Sequence, residues 1–328
     1  MTSSFRHTLR GRHVSLCLAA GLALVGLNLA FFCPHAQAAS AAECGGQSVE
    51  SPSSSSPAAP PARPAARRPA RTAAHLPAVP SPLAVKLKIA LVEDANTSEV
   101  LLAKNADKVT PIASITKLMT AIVVLDAGLP LEDVLTISDE DRDGVMGTTS
   151  RLNIGWSLSR ADMLHVALMS SENRAAAALS RYYPGGRPAF IAAMNARAAE
   201  LGMSNTHFVN PNGLTSENVS TAFDLVKLVQ AADQYPLIRE FSTDRDYAVR
   251  VGRHILQFVN SDRLVRSSDW DIEIQKTGFI NESGHCVVMR LNTEGRALIM
   301  IFLDGYGKLT RYADARRVLT QLAVAQHK

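Results

Sequence analysis

Short, nearly continuous apolar runs stand near both ends of residues 85–328, and between them apolar residues recur every three to four positions. Stretches 85–93 and 99–104 read as strands around the turn-rich Asp94-Ala-Asn-Thr-Ser98. Ile115, Leu118, Met119, Ile122 and Val123 repeat at helical spacing and stop near Gly128. Ser159 with Asp162 has the layout of a capping box, opening a helix through Leu164, Ala167 and Leu168. Residues 174–181 are Ala-rich and helical until Pro184-Gly-Gly186 breaks them, and 190–201 and 221–232 give further helices. Stretch 272–275 leads as a strand into Lys276-Thr-Gly278, 286–291 and 296–303 read as a strand pair, and 312–323 closes as an amphipathic helix. Strands at both ends of a helix-rich middle predict an α+β domain, an antiparallel sheet flanked by helices with an inserted helical lobe. About 240 residues are enough for one such domain with its own core.

The preceding 84 residues follow different rules. Arg6, Arg10 and Arg12 precede the apolar run 14–32, and small residues cluster at Ala36-Gln-Ala38 and Ala39-Ser-Ala41. A positive start, an apolar run and an A-x-A site predict a secretory signal peptide over residues 1–38. A retained membrane anchor is the competing reading, and both export the remainder. Residues 39–84 are dominated by Ser, Pro and Ala, which predicts a disordered tether. Its Arg63, Arg67, Arg68 and Arg71 could touch a membrane or anionic polymer, although a plain spacer explains them as well.

Charge divides at the same place. Residues 1–84 carry seven Arg and two Glu, a net of +5, so a chain total of +4 leaves −1 for residues 85–328. Nucleic-acid binding calls for a basic stripe on the domain itself, and the sequence has none. Cys17 and Cys33 fall in the leader region and Cys44 in the tether, which leaves Cys286 as a small buried strand residue.

Candidate chemistry lies within the domain. Ser114 and Lys117 stand three apart at a helix start, where one turn puts both on one face. A serine hydroxyl needs a neighbouring base to become a nucleophile, and a lysine of lowered pKa can serve. Alone, the pair could be a helix-cap serine and a surface lysine. Ser171-Glu-Asn173 and Lys276-Thr-Gly278 follow, however, in the order of the serine acyl-transfer signature. At a helix N-terminus the Ser114 N–H can also face a developing oxyanion. Gly278 admits a close backbone neighbour. Asn210-Pro-Asn-Gly213 reads as a structural turn, with a substrate-facing wall as the second reading. Asp139-Glu-Asp-Arg-Asp143 reads as a solvated acidic loop, and Glu172 as structural or solvent-facing. His165, His207, His254 and His285 lack zinc-ligand spacing, so no metal or cofactor is expected.

Over roughly residues 86–320 the chain resembles the low-molecular-mass penicillin-binding proteins, the serine D-alanyl-D-alanine peptidases. The likeness rests on residues 111–121, 168–177 and 206–214 and on Lys276-Thr-Gly-Phe279. It implies a β-lactamase/transpeptidase-like fold, periplasmic location, peptidoglycan stem peptides and cross-links as substrate, and covalent acylation by β-lactams. It further implies that Ser114 is the nucleophile, Lys117 its base and Ser171 the relay of a proton to the leaving amine. Asn173 would bind a substrate amide and steady Lys117. Lys276 would attract an anionic substrate, Thr277 would bind its carboxylate, and Phe279 would give a second oxyanion N–H.

Ser171-Glu-Asn-Arg174 and Tyr183-Pro-Gly-Gly186 most resemble the endopeptidase branch. The fifty residues after Gly278 are used up by two strands and a helix, whereas the carboxypeptidase branch continues into a β-rich domain. Carboxypeptidase action on terminal D-alanine is the alternative. A β-lactamase of the common kind would carry an E-x-x-L-N stretch between Asn173 and Lys276, and none occurs. A non-catalytic wall-peptide binding module would predict a broken serine or lysine, and both are intact.

Overall fold

The computed structural model describes residues 85–326 except 145 and 268; the expected signal peptide and tether lie outside the described residues. A hairpin of β1 (Ile89–Asp94) and β2 (Val100–Lys104) opens the domain, and the short β3 (Thr110–Pro111) leads into α1 (Thr116–Asp126). The helical lobe follows, with β4 (Val134–Thr136), β5 (Ser157–Ser159), α2 (Arg160–Met169), α3 (Asn173–Arg181) and α4 (Gly186–Glu200). After β6 (Val219–Ser220) come α5 (Ala222–Ala232), α6 (Pro236–Thr243) and a hairpin of β7 (Asp246–Val251) and β8 (His254–Val259). Three long strands, β9 (Asp271–Ile280), β10 (Gly284–Thr293) and β11 (Arg296–Gly305), precede the closing α7 (Thr310–Gln326).

Five strands make one antiparallel sheet in the order β2-β1-β11-β10-β9, so the first strand pairs with the last across the whole chain. Helices cover both of its faces, and period-two alternation sorts the side chains between them. Ile89, Leu91, Val288, Ile299 and Ile301 join α1, α2 and α5 in one core. Ala90, Val92, Val287, Met289 and Met300 pack under α7 through Tyr312, Ala315 and Val318 in the other. Burial on both faces explains why these strands read as apolar runs. Truncating a fully buried member such as Leu118 to Ala costs about 2–5 kcal/mol.

Local signals explain most boundaries. Ser159 Oγ accepts from the Asp162 N–H at 3.0 Å and starts α2; Thr221 Oγ accepts from the Asp224 N–H at 3.2 Å and starts α5. Helix α4 begins at Gly186, earlier than the apolar pattern indicates, because Gly185 takes φ +82° and Pro188 fits a first turn. The apolar pattern of the sequence does not announce α6 or the β7–β8 hairpin. The latter pairs only with itself and buries Val249, Val251 and Phe258, too few to stand out in an apolar count.

The acidic stretch 139–143 differs from a solvated loop. The Asp141 side chain is wholly buried and takes Arg181 Nη2 at 2.8 Å and Arg187 Nη2 at 3.5 Å. Burial in a lobe that supplies two guanidinium groups selects that one carboxylate, while Asp139 and Glu140 stay exposed. Cys286 is buried, as its strand position predicts, and among the described residues it has no disulfide partner.

Candidate active site

Edge strand β9 meets the start of α1 at the boundary between sheet and helical lobe. Ala113–Ile115 form one 3-10 turn before α1, and this tighter winding stacks residue i over i+3. Ser114 in that turn and Lys117 in the first turn of α1 come together across the junction, with Lys117 Nζ 2.9 Å from Ser114 Oγ. Ala113 is held at φ +47°, in the left-handed region, and Ser171 at φ +64°. Such conformations cost roughly 1–3 kcal/mol each and persist where the surroundings over-determine them. Both flank one cleft.

Lys117 is 1% exposed. Its amine donates to Asn173 Oδ1 at 2.8 Å and to the Asn212 carbonyl at 2.6 Å. Burial lowers its pKa from 10.5 to about 7, against the opposing pull of the Glu172 charge. The ordinary surface lysine is a spent base at neutral pH; this one is divided between its two forms.

The loop that supplies Asn212 is clamped to α1. Thr120 Oγ1 donates to the Pro211 carbonyl at 2.6 Å. Asn218, fully buried, donates to the Asn210 carbonyl at 2.9 Å and to Thr116 Oγ1 at 3.0 Å, and its Oδ1 accepts from the Val209 N–H at 2.8 Å. Gly213 lies so close to the nucleophile's turn that a Cβ there would sit 2.0 Å from the Ala113 carbonyl oxygen. Asn210-Pro-Asn-Gly213 is therefore a wall of the reactive centre as well as a turn. Composition signals the turn; the partner of its carbonyl is set by tertiary contact.

The opposite wall is β9. A Cβ on Gly278 would meet the Ile112 carbonyl at 3.0 Å and the Ser114 nitrogen at 3.2 Å, so its absence lets the strand lie against the 3-10 turn. Thr277 Oγ1 shares a 2.7 Å hydrogen bond with Ser261 Oγ. The Lys276 amine is fully buried beneath the strand and donates to the Thr277 carbonyl at 3.0 Å. Its pKa falls well below the lysine range, through burial first and then the positive charges of Lys117 and Arg311.

The cleft between these walls has a volume of about 230 Å³ and is lined by Ser114, Ser171, Asn173, Thr277, Gly278 and Phe279, with Thr148, Leu214 and Arg311. Among the described residues Ser171 Oγ hydrogen-bonds to neither Ser114 nor Lys117. Asn173 Nδ2 donates to Thr148 Oγ1 at 3.1 Å, which fixes the amide so that its oxygen faces Lys117. Glu172 is buried, accepts from Ser150 Oγ at 2.5 Å and caps α3 through the Arg174 N–H at 3.4 Å. It is structural and turned away from solvent.

Arg311 is the site residue that sequence reasoning missed. It stands in the first turn of α7, 4% exposed, and donates to the Gly278 carbonyl at 3.2 Å and the Cys286 carbonyl at 2.8 Å. Among the described residues its Nε has no partner. A lone arginine in an amphipathic helix gives no signal of its own; the sheet brings it to the cleft.

The arrangement can run covalent acyl transfer: a hydroxyl beside a lysine of pKa about 7, in a cleft that Phe279 and the Arg311 guanidinium also line. Among the described residues no group of His, Cys, Asp and Glu is placed to hold a metal ion.

Known proteins share this framework. Residues 76–307 match the family model described as D-alanyl-D-alanine carboxypeptidase. The chain is 50% identical over 239 residues to the D-alanyl-D-alanine endopeptidase of Pseudomonas aeruginosa, covering 72% of this chain and 77% of that one. The crystal structure of the Streptomyces K15 DD-transpeptidase superposes with TM-score 0.68 at 26% identity, over 72% of this chain and 97% of that one. Penicillin-binding protein D2 from Listeria monocytogenes, in its ampicillin-bound form, superposes with TM-score 0.63 at 29% identity, over 73% and 97%. The α+β architecture with an inserted helical lobe is thus that of the DD-transpeptidases.

Proposed function

This chain belongs to the D-alanyl-D-alanine carboxypeptidase family of serine peptidases, and from that premise we propose that it hydrolyses D-alanyl–diaminopimelyl cross-links in peptidoglycan through an acyl-serine ester. The observation that carries the chemistry is the buried Lys117 amine, 2.9 Å from Ser114 Oγ with its pKa brought to about 7.

In the reaction, neutral Lys117 takes the Ser114 proton as Oγ attacks the carbonyl carbon of the D-alanine that the cross-link joins to diaminopimelate. The resulting oxyanion accepts from the N–H groups of Ser114 and Phe279, each such donor contributing about 10²–10³ in rate. Collapse of the tetrahedral intermediate breaks the C–N bond. The proton held by Lys117 passes through Ser171 to the leaving nitrogen, which departs as an amine. Asn173 fixes Lys117 and accepts or donates to the substrate amide. A water molecule then attacks the ester, returns a proton through the same lysine and releases the donor peptide as its carboxylate. A β-lactam carbonyl fits the same path, and its tethered leaving group stays in the cleft.

Specificity for a D-residue carboxylate comes from Arg311 and Thr277. The guanidinium is already held by the Gly278 and Cys286 carbonyls and lines the same cleft as Thr277, so an entering carboxylate meets a fixed cation. Lys276, fully buried and donating to the Thr277 carbonyl, braces the strand beside the carboxylate site.

Likeness to an endopeptidase at 50% identity favours the cross-link over terminal D-alanine. The predicted leader at residues 1–38 would put the domain in the periplasm with its substrate. The test is direct. Purified cross-linked dimeric muropeptide and monomeric pentapeptide are supplied separately and products are followed by mass. Higher kcat/KM on the dimer supports the proposal; release of D-alanine with dimers left intact refutes it.

A further inference from the structure

At one end of the cleft the surface turns apolar. Phe279 is 51% exposed, Leu309 56% and Tyr306 fully exposed. Phe279 lines the cleft on β9, Tyr306 follows the last residue of β11, and Leu309 precedes α7. Register pairs Phe279 on β9 with His285 on β10, and their rings stack at 4.3 Å. A bulge after His285 then sets that residue opposite Gly305 at the end of β11, one residue before Tyr306.

The junction is tightly built. A Cβ on Gly284 would lie 2.9 Å from the Gly305 carbonyl oxygen, and one on Gly305 would lie 2.8 Å from the His285 carbonyl oxygen. Two glycines let the backbones touch, so the lip keeps its shape. From Tyr306 the chain runs through Lys308 and Leu309 into α7, where Arg311 faces the cleft. Burial, with the positive charges of Arg311 and Lys308, holds the His285 imidazole below its ordinary range. It is therefore neutral at pH 7 and serves Phe279 as a flat apolar partner.

Two anchors fix which part of a substrate reaches this lip. On the reading above, the carboxylate is held at Thr277 and Arg311 and the scissile carbonyl at the Phe279 N–H. Thr277 and Phe279 share one face of β9 by the period of two. A peptide held at both points runs antiparallel to β9, and its portion N-terminal to the scissile bond leaves the cleft past Phe279.

We propose that Phe279, His285, Tyr306 and Leu309, with Lys308 beside them, form a subsite for the acyl-donor stem peptide. The chemistry suits an acidic peptide carrying a long aliphatic side chain: methylene groups lie on the ring faces and carboxylates face Lys308. This assignment rests on the serine-peptidase reading and names what that site holds on its donor side.

The test uses the full chain and two acyl donors, one with the whole L-alanyl-γ-D-glutamyl-diaminopimelyl stem before its final D-alanyl carbonyl, the other beginning at an N-acetylated D-alanine. Each is supplied with a diaminopimelyl amine as leaving group and, in a parallel pair, with D-alanine. Wild type should prefer the full stem. Tyr306→Ser with Leu309→Ser should lose about tenfold in kcat/KM on the full stem, mostly through KM, and should keep its rates on the truncated substrate and on penicillin. Lys308→Glu, which leaves the apolar lip whole, should also weaken the full stem selectively. An unchanged preference in both variants, or an equal loss on both substrates, overturns the proposal. Because the two donors of each pair share a leaving group, failure to cut cross-links would refute the endopeptidase reading and leave this ratio readable in the D-alanine pair.

Discussion

Replacing Gly213 by alanine should disable the nucleophile without touching any reacting atom. The added Cβ would stand 2.0 Å from the Ala113 carbonyl oxygen, 2.4 Å from its carbon and 2.9 Å from the Ser114 nitrogen. All three are backbone atoms, so no side chain can swing aside. Relief to a tolerable 3.0 Å needs a shift of about 1 Å between the loop and the 3-10 turn. Gly213 also sits at φ +79°, which costs an alanine roughly 1–2 kcal/mol. The shift falls on the Ser114 N–H and, through the neighbouring residue, on the Asn212 carbonyl that holds Lys117 at 2.6 Å. A displacement of that size costs about 10²-fold in rate where reacting groups are pre-positioned. The second-order rate of acylation by a fluorescent penicillin, with Tm measured in parallel, is the assay. We expect about a 10²-fold loss and a lowered Tm. A rate within about threefold of wild type at unchanged Tm would mean that the loop does not set the nucleophile's geometry.

Other outcomes follow from the same geometry. Only neutral Lys117 can accept a proton, so acylation should rise roughly tenfold per unit of pH below about 7 and level off above it. Because Glu172 raises the Lys117 pKa, Glu172→Gln should move that rising limb to lower pH; a limb that stays put, read by stopped flow, would contradict the assignment. Lys117→Arg keeps the charge but stays protonated, and should slow acylation by about 10²-fold or more, with a near-normal rate pointing to another base. Asp141→Asn should cost roughly 2 kcal/mol in urea denaturation, discounted because Arg181 and Arg187 are partly exposed, and no loss would remove Asp141 as the lobe's ion-pair hub. A protein beginning at Leu83 should hydrolyse soluble muropeptide at the full-length rate, since residues 39–82 are proposed to be a tether; a folded but inactive product would give them a part in the site.

Much of this site is legible in the sequence, and the reason is local. Ser114 and Lys117 lie within one turn, Ser171 and Asn173 at one helix start, and Lys276 to Phe279 along one strand, so spacing alone orders each group. The outer strands and main helices were legible because burial on one or two faces leaves a period of two, an apolar run or a period near four. What escaped depends on contacts distant in sequence. Asn212 reaches Lys117 across 95 residues, and Arg311 reaches Gly278 across 33. Asp141 looks like its exposed neighbours until Arg181 folds over it. The small β7–β8 hairpin escapes because, among the described residues, it joins no larger sheet.

The central claim is that Ser114 forms a covalent acyl ester with help from Lys117. Intact-protein mass spectrometry after brief exposure to penicillin, followed by peptide mapping, tests it most directly. Wild type should gain the mass of one ring-opened penicillin, mapped to the peptide carrying Ser114, and Ser114→Ala should gain none while keeping the wild-type Tm. An adduct of equal yield on the Ser114→Ala protein, or one mapped to another residue, would contradict the account.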